Sequence, residues 1–244
     1  MVRKMRKGEI TDVGRMRTHN EDAFYSFGNN RFYYGLVADG MGGHHAGEIA
    51  SRMAVYEISE YIRRNLTDEL DCFQAGEVIR RAFAAANDVI YKYAGKNLNL
   101  MGMGTTAVLA MYYDGRLITA NVGDSRAYLI GSRNIRQITR DHSYVAELVA
   151  HGSITPEQAR NHPKRNYITR AIGTDETVET DIKIMNYSGE TVLLCSDGLT
   201  NMVSDKEIQS IVGRKRNLKR SAEKLAELAN RHGGTDNITA VLYR

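Results

Sequence analysis

Residues 32–43 read FYYGLVADGMGG, an almost unbroken apolar run that ends in Asp39, Gly40 and further glycines. A short continuous apolar run bounded by glycines predicts a buried strand. A helical pattern begins soon afterwards at Ala46, so the Asp-Gly step is not a two-residue hairpin. The stretch therefore predicts a strand that holds a carboxylate rigidly at the rim of the core, where it suits a hard cation.

The chain on either side of this strand alternates between blocks of helices and blocks of strands. Apolar residues at helical spacing predict amphipathic helices over 46–65, 73–93, 205–212 and 218–232. Alternating or continuous apolar runs predict strands within 8–28 and over 105–113, 117–121, 127–130, 135–138, 178–185, 191–195 and 237–243. Short links make neighbouring strands antiparallel, so we expect an α+β fold.

Bulk composition is that of an ordinary globular protein. The 244 residues include 42% hydrophobic and 25% charged residues, and no internal repeat or linker marks a boundary, so we expect a single domain over 1–244. Cys72 and Cys195 stand far apart without a CxxC motif, which indicates neither a disulfide framework nor a zinc knuckle. No signal-peptide core or membrane-length apolar run occurs, so we expect a cytoplasmic protein without membrane contact.

The net charge of +4 raises the question of a nucleic-acid partner. Segments 3–7 and 214–220 hold four and five basic residues and no acid, which leaves −5 for the rest of the chain. The positive charge is therefore peripheral, and we expect no nucleic-acid partner.

Further carboxylates follow or precede strands as Asp39 does. They are Asp124, Asp197, Asp236 and the pair Glu21 and Asp22. Each one alone is well explained as turn chemistry or a solvated acid. If they converge, their repulsion requires cations, and ligation by oxygen alone favours Mg²⁺ or Mn²⁺, as in a two-metal hydrolase.

Six ordered blocks of sequence resemble a known family. They are 14–22 (GRMRTHNED), 37–44 (VADGMGGH), 103–106 (MGTT), 121–126 (NVGDSR), 196–199 (SDGL) and 236–239 (DNIT). Their order resembles that of metal-dependent protein phosphatases of type 2C, in the compact bacterial branch, over residues 8–241. The resemblance implies a four-layer α-β-β-α sandwich of two antiparallel sheets flanked by helix pairs, with the metal centre at one end.

The resemblance also implies the metal ligands. Asp39 corresponds to the carboxylate that bridges two metal ions, with the Gly40 carbonyl on one ion and Asp197 and Asp236 on the other. Asp124, together with Asp197, corresponds to the site of a third, weaker ion. The implied cofactors are Mn²⁺ or Mg²⁺.

Four more positions take implied roles from the resemblance. Glu21 and Asp22 correspond to residues that hold metal-bound waters, and Arg17 to the guanidinium that receives the substrate phosphate. The implied reaction is hydrolysis of phosphoserine and phosphothreonine by a metal-activated water. Met41 stands where eukaryotic members carry a histidine, so His44 or a metal-bound water is the candidate proton donor to the leaving group.

Residues 142–173 match the flap beside the family's active site, and an inert surface loop is the alternative. Within this segment the sequence pattern predicts a short helical piece over 145–149 and a loop over 155–166. The implied partners are phosphorylated proteins and a cognate serine/threonine kinase, and we expect a monomer. Two other functions fit parts of the sequence. A catalytically silent phosphoprotein-binding adaptor has the same fold, and a nucleic-acid binder would use the basic segments.

Overall fold

The computed structural model describes residues 5–29, 31–43, 45–96, 98–213 and 217–244. Over these residues the chain forms two antiparallel sheets that pack face to face, with helices on both outer faces. The expected four-layer sandwich is confirmed.

Every described strand pairs antiparallel with its neighbours. The first sheet has the order β1 (Lys7–Asp12), β11 (Ile238–Tyr243), β10 (Thr191–Cys195), β7 (Arg126–Ile130) and β8 (Ile135–Gln137). The second has the order β2 (Asp22–Gly28), β3 (Phe32–Met41), β5 (Ala107–Tyr113), β6 (Arg116–Val122) and β9 (Asp181–Asn186). A short strand, β4 (Gly104–Thr105), pairs with the end of β3.

Helices cover the outer face of each sheet. The second sheet is covered by α1 (Ala46–Asn65) and α2 (Cys72–Ala94), and the first by α6 (Asp205–Val212) and α7 (Leu218–Arg231). The predicted flap contains α3 (Tyr144–Ala150) and α4 (Pro156–Arg160). The remaining helical pieces are α5 (Asp197–Thr200), which follows β10, and a 3-10 turn over Leu98–Leu100.

The alternation of side chains along β3 explains why this strand is apolar at almost every position. Phe32, Tyr34 and Leu36 belong to the core beneath α1 and α2. Tyr33 and Val37 belong to the core between the two sheets. Successive strand residues point to opposite faces, so a strand in a middle layer needs apolar residues at every position.

Two predicted segments differ from the structure in detail. The strand expected over 105–113 is divided into β4 and β5 at Thr106, whose backbone N–H donates instead to the Asp39 carbonyl at 2.8 Å. The loop 155–166 includes α4, which begins with Pro156 at its first turn and a capping box between Thr155 and Gln158. That box satisfies free backbone N–H groups and so stabilises even a short helix.

The sheet register places Lys7, in the first basic segment, and the acidic residues at opposite ends of the sandwich. Asp12, at the end of β1, pairs with Ile238 near Asp236, whereas Lys7 pairs with Tyr243 at the other end. Gly8 lies there against the backbone of Leu218 and Lys219, so the described residues 5–8 and 217–220 lie close together. Of the basic residues in segments 3–7 and 214–220, Arg3, Lys4, Arg214, Lys215 and Arg216 lie outside the described residues.

None of the helices described is both long and apolar enough to span a membrane.

Candidate active site

Five predicted acidic residues converge at one end of the sandwich. Asp39 is near the end of β3, and Asp22, at the start of β2, is its cross-strand partner. The others lie where β6 and β10 end and β11 begins: Asp124, Asp197 and Asp236. Burial, followed by repulsion from these four carboxylates, raises the pKa of Asp39 well above the ordinary range.

The backbone around Asp39 is held by two threonines. Thr105 Oγ1 donates to the Asp39 carbonyl at 2.9 Å, and the Asp39 N–H donates to Thr106 Oγ1 at 3.0 Å. A Cβ at the following residue, Gly40, would collide with the backbone of Gly47 at the start of α1. The close packing of strand and helix therefore requires glycine at position 40.

Asp22 is 8% exposed, and its two carboxylate oxygens differ in their surroundings. Ser196 Oγ donates to Oδ2 at 2.7 Å, whereas Oδ1 has no hydrogen-bond partner among the described residues. Burial, with repulsion from Asp197 and Asp236, raises the pKa of Asp22 to about 7. A buried oxygen without a partner is costly, so this position fits a cation or a water molecule that a cation holds.

The pKa values of Asp197 and Asp124 are raised by the same two causes, burial and neighbouring carboxylates. Burial and then Asp236 raise the pKa of Asp197, although hydrogen bonds with Asp39 and Asn201 oppose the shift. Burial, Asp197 and Asp141 raise the pKa of Asp124 to about 8. The carboxylates thus repel one another through a poorly solvated region, which is the condition that favours binding of divalent cations.

Arg17 is an exposed cation that lies beside this cluster. Its Nη2 donates to Asp236 Oδ2 at 2.9 Å, and its side chain remains 48% exposed. Burial disfavours its charge, but Asp236, Glu21 and Asp39 outweigh that effect and raise its pKa. One guanidinium that faces both solvent and the acids is well placed to receive an anionic group.

Glu21 lies at the edge of the cluster. Burial raises its pKa, as do Asp236 and Glu48, while Arg17 acts in the opposite direction. Its backbone N–H donates to Asn237 Oδ1 at 2.8 Å, and Asn237 Nδ2 donates to the carbonyls of Val13 and His19, each at 2.9 Å. Asn237 thereby ties the segment that carries Arg17 and Glu21 to the start of β11.

The described side chains do not form a finished metal cage. Within 5–29, 31–43, 45–96, 98–213 and 217–244, no group of three or more His, Cys, Asp or Glu is arranged to hold a metal ion. The donor chemistry nevertheless fits hard cations, because carboxylate oxygens dominate and Asp22 Oδ1 lacks a partner. Asp236, engaged by Arg17, is the acid that would have to exchange its partner for an ion.

The proton-donor candidate His44 lies outside the described residues. Met41 is the last residue of β3. Cys195 is fully buried, and burial raises the pKa of its thiol to about 12, which supports its interpretation as a core residue and not a nucleophile.

Sequence reasoning assigned no role to the residues that orient the acids. Thr105, Thr106, Ser196 and Asn237 lie within the quoted blocks but carry no charge that would mark them. The sequence features that could have identified them are that Ser196 and Asn237 are adjacent to Asp197 and Asp236, and that Thr105 and Thr106 belong to the block 103–106. Their function as hydrogen-bond partners is visible once the strands are assembled.

Comparison with known proteins identifies the family of this chain. The family model of protein phosphatase 2C matches residues 15–242. The chain is 43% identical over 234 residues to the serine/threonine phosphatase stp of Listeria monocytogenes. The matched region covers 95% of this chain and 92% of that protein.

Two solved structures are similar over nearly the full length. Serine/threonine phosphatase Stp1 from Staphylococcus aureus has a TM-score of 0.92 at 40% identity, covering 99% of this chain and 95% of that one. The catalytic domain of the phosphatase PstP, solved in complex with 2 manganese ions, has a TM-score of 0.84 at 34% identity, with 98% and 97% covered. The chain therefore belongs to the protein phosphatase 2C family and is an enzyme of its bacterial serine/threonine phosphatase branch.

Proposed function

We propose that this enzyme removes phosphate from phosphoserine and phosphothreonine in proteins in a reaction that depends on Mn²⁺ or Mg²⁺, and that it reverses a serine/threonine kinase. The observation that carries the proposal is the convergence of buried, mutually repelling acids beside one exposed guanidinium. Such a cluster requires cations and attracts a phosphate only when they are bound.

The residues proposed to hold two ions are Asp39, the Gly40 carbonyl, Asp197 and Asp236. Divalent cations at such a site polarise phosphoryl oxygens and lower the pKa of bound water. Glu21 and Asp22 are proposed to act through water, which suits the unpartnered Oδ1 of Asp22. Asp124, with Asp197, is proposed to hold a third and weaker ion.

Arg17 is proposed to bind the phosphoryl group of the substrate. The guanidinium presents several N–H donors in one plane, which matches two phosphoryl oxygens. Release of Asp236 to a cation would free Nη2 for that contact. The proton that the departing alkoxide needs is assigned to His44 or to water, as the sequence resemblance implies.

The flap is proposed to contact protein substrates, with the enzyme acting as a monomer. Tyr167 is 59% exposed and Tyr144 is at the start of α3, so the flap presents aromatic surface next to a site meant for phosphoproteins. The adaptor alternative is not favoured, because every acid of the implied ligand set is present.

Hydrolysis of a phosphothreonine peptide with Mn²⁺ or Mg²⁺ tests the proposal. We expect turnover that a chelator abolishes, and loss of both turnover and calorimetric Mn²⁺ binding in the double variant Asp39→Asn, Asp197→Asn. The matched control is Asp68→Asn, which changes a carboxylate whose side chain is 83% exposed. Turnover that persists in chelator, or an active double variant, would contradict metal dependence.

A further inference from the structure

His142 begins the flap and is buried, yet both of its ring nitrogens have polar partners. It is 7% exposed. The backbone N–H of Gly123 donates to Nδ1 at 3.0 Å, and Nε2 lies 3.3 Å from Asp181 Oδ2. A buried imidazole with a partner on each side joins two parts of the chain that are distant in sequence.

The first part is the loop 123–125, here called the Asp124 loop. His142 holds it twice, because its own backbone N–H also donates to the Gly123 carbonyl at 3.0 Å. Gly123 has φ +101°, and a Cβ there would stand 2.6 Å from Thr106. Thr106 and His142 therefore hold Gly123 from two sides, and Asp124 is the next residue in the chain.

The second part is the flap base, formed by His142, Arg170 and Asp181. Arg170 Nη1 donates to Asp181 Oδ1 at 3.0 Å, and His142 Nε2 faces the other oxygen of the same carboxylate. The Thr169 N–H donates to the His142 carbonyl at 2.9 Å, and Ser143 forms a β-bridge with Ile168. These contacts close the two ends of the flap on each other.

The partners of His142 define its tautomer. Nδ1 accepts from Gly123, so in the neutral ring Nε2 carries the hydrogen and faces Asp181 as its acceptor. Arg170 Nη1 lies 3.2 Å from Nε2 but is itself a donor, and it donates to Asp181 Oδ1. Burial lowers the pKa of His142, against the effect of Asp181, and favours this neutral form. The adjacent Asp141 is engaged elsewhere, by Arg126 at 2.7 Å. The imidazole thus links the two parts by directional hydrogen bonds.

We propose that His142 is a positioning residue that couples the closed flap base to the Asp124 loop, so that loosening the flap base also displaces Asp124 and weakens the ion held there. The metal part of this inference rests on the proposed function. The coupling itself concerns contacts within the chain and exists without an ion. Among the described residues, neither Asp181 nor Arg170 forms a hydrogen bond or ion pair with 123–125. Asp181 also pairs with Asn121 in the register of β6 and β9, so the His142 variants show which part of its effect passes through the imidazole.

Two substitutions of His142 separate its two contacts. In His142→Asn, the side-chain oxygen takes the place of Nδ1 and keeps the acceptor for Gly123, but the side chain is too short to reach Asp181. In His142→Gln, the longer side chain reaches towards Asp181 and lacks an acceptor at the Nδ1 position. His151→Gln, at the exposed end of α3, is the matched control.

Amide hydrogen exchange in chelator measures the coupling independently of any metal. We expect His142→Gln to speed exchange at residues 122–125 by about tenfold, since the loop loses one of its hydrogen bonds. We expect Asp181→Asn to speed exchange both in the flap and at 122–125. His142→Asn should speed exchange mainly in the flap, and His151→Gln should change neither region.

Calorimetric Mn²⁺ titration measures the consequence for the ion. We expect the dissociation constant of the weakest site to rise by about 10- to 100-fold in His142→Gln, the usual effect of losing a group that orients a ligand. If Asp181→Asn loosens the flap while exchange at 122–125 stays at the wild-type rate, the coupling is wrong. If the wild type binds no Mn²⁺, the proposed function fails, whereas the exchange experiment still decides the coupling.

Discussion

Single residues at the acidic end differ in what they contribute because they differ in exposure. Asp22 is buried, with one oxygen on Ser196 and the other without a partner, so its neighbours constrain it strongly. Arg17 is half exposed and bound to Asp236 through one nitrogen, so it can change partners at little cost. Buried acids suit a permanent ion site, and an exposed guanidinium suits a transient substrate.

Replacing Arg17 tests its assignment to the phosphate. Arg17→Ala should lower kcat/KM for a phosphothreonine peptide by about 10- to 100-fold, as expected for loss of charge-assisted hydrogen bonds worth about 1.5 to 3 kcal/mol. Arg17→Lys should recover only part, because an ammonium lacks the planar pair of donors. Steady-state kinetics with saturating Mn²⁺ measures both, and Met16→Ala, 73% exposed, is the control. Unchanged kcat/KM in Arg17→Ala would remove Arg17 from the site.

At the scale of elements, α2 connects the core to the end of the flap. Asn87, on the buried face of α2, accepts from the Gly173 N–H at 2.8 Å and donates to the carbonyl of Asp175 at 3.0 Å. The helix begins at a capping box in which Asp71 accepts from Phe73 and Gln74, each at 2.8 Å. A well-capped helix therefore holds the point where the flap returns to the sheet.

Removal of that cap should destabilise the protein without changing the site. Asp71→Ala should lower the free energy of unfolding by about 1 kcal/mol, since two backbone N–H groups of the first turn lose their acceptor. That corresponds to a fall in melting temperature of about 2–4 °C for a chain of this size. Thermal unfolding measures the shift. Asp68→Ala, whose ion pair with Arg31 is long at 3.7 Å and exposed, should change stability by less than about 0.5 kcal/mol. Equal shifts in the two variants would show that the cap contributes nothing.

At the scale of the whole molecule, charge is separated along the sandwich. Acids collect where β3 and β10 end, while Lys7 and Lys219 lie at the other end. The separation explains how a chain with a net charge of +4 contains an intensely negative site. Repulsion among the acids at one end also lowers the free energy of unfolding, by an amount that depends on pH and on bound cations.

Chelation should reveal this destabilisation. The pKa values of Asp22 and Asp124 are raised to about 7 and about 8, from an ordinary 3.8 that applies in the unfolded chain. Because the pKa of each carboxyl is raised in the folded protein, its contribution to the free energy of unfolding is fully present below about pH 4. That contribution falls as the pH rises and is lost once the pH passes about 7 for Asp22 and about 8 for Asp124. A chelator should therefore lower the melting temperature more at about pH 8.5 than at about pH 6, and excess Mn²⁺ should restore it.

Differential scanning calorimetry at the two pH values checks this. In Asp124→Asn, one repelling charge is absent, so the difference between the two pH values in chelator should shrink. A chelator effect that is the same at both pH values would contradict the electrostatic explanation.

Much of the architecture follows from local sequence pattern. The strand 32–41 and the helices 46–65 and 72–94 were expected within a few residues, because apolar periodicity over such lengths reflects burial directly. The short helix α4 within 155–166 was not expected, because a five-residue helix has too little periodicity to detect and depends on its cap.

The sequence by itself determined the chemical inventory of this protein: apolar runs that lead into Asp39 and Asp197, an arginine at position 17, and motif blocks that resemble one family. The tertiary structure decided which groups meet. The contact of Ser196 with Asp22 spans 174 residues, and that of Arg17 with Asp236 spans 219. Such pairings, like the link of His142 to Gly123, depend on how the strands of two sheets are ordered and stacked. Local propensity carries no record of that order, because it acts only between residues near one another in the chain.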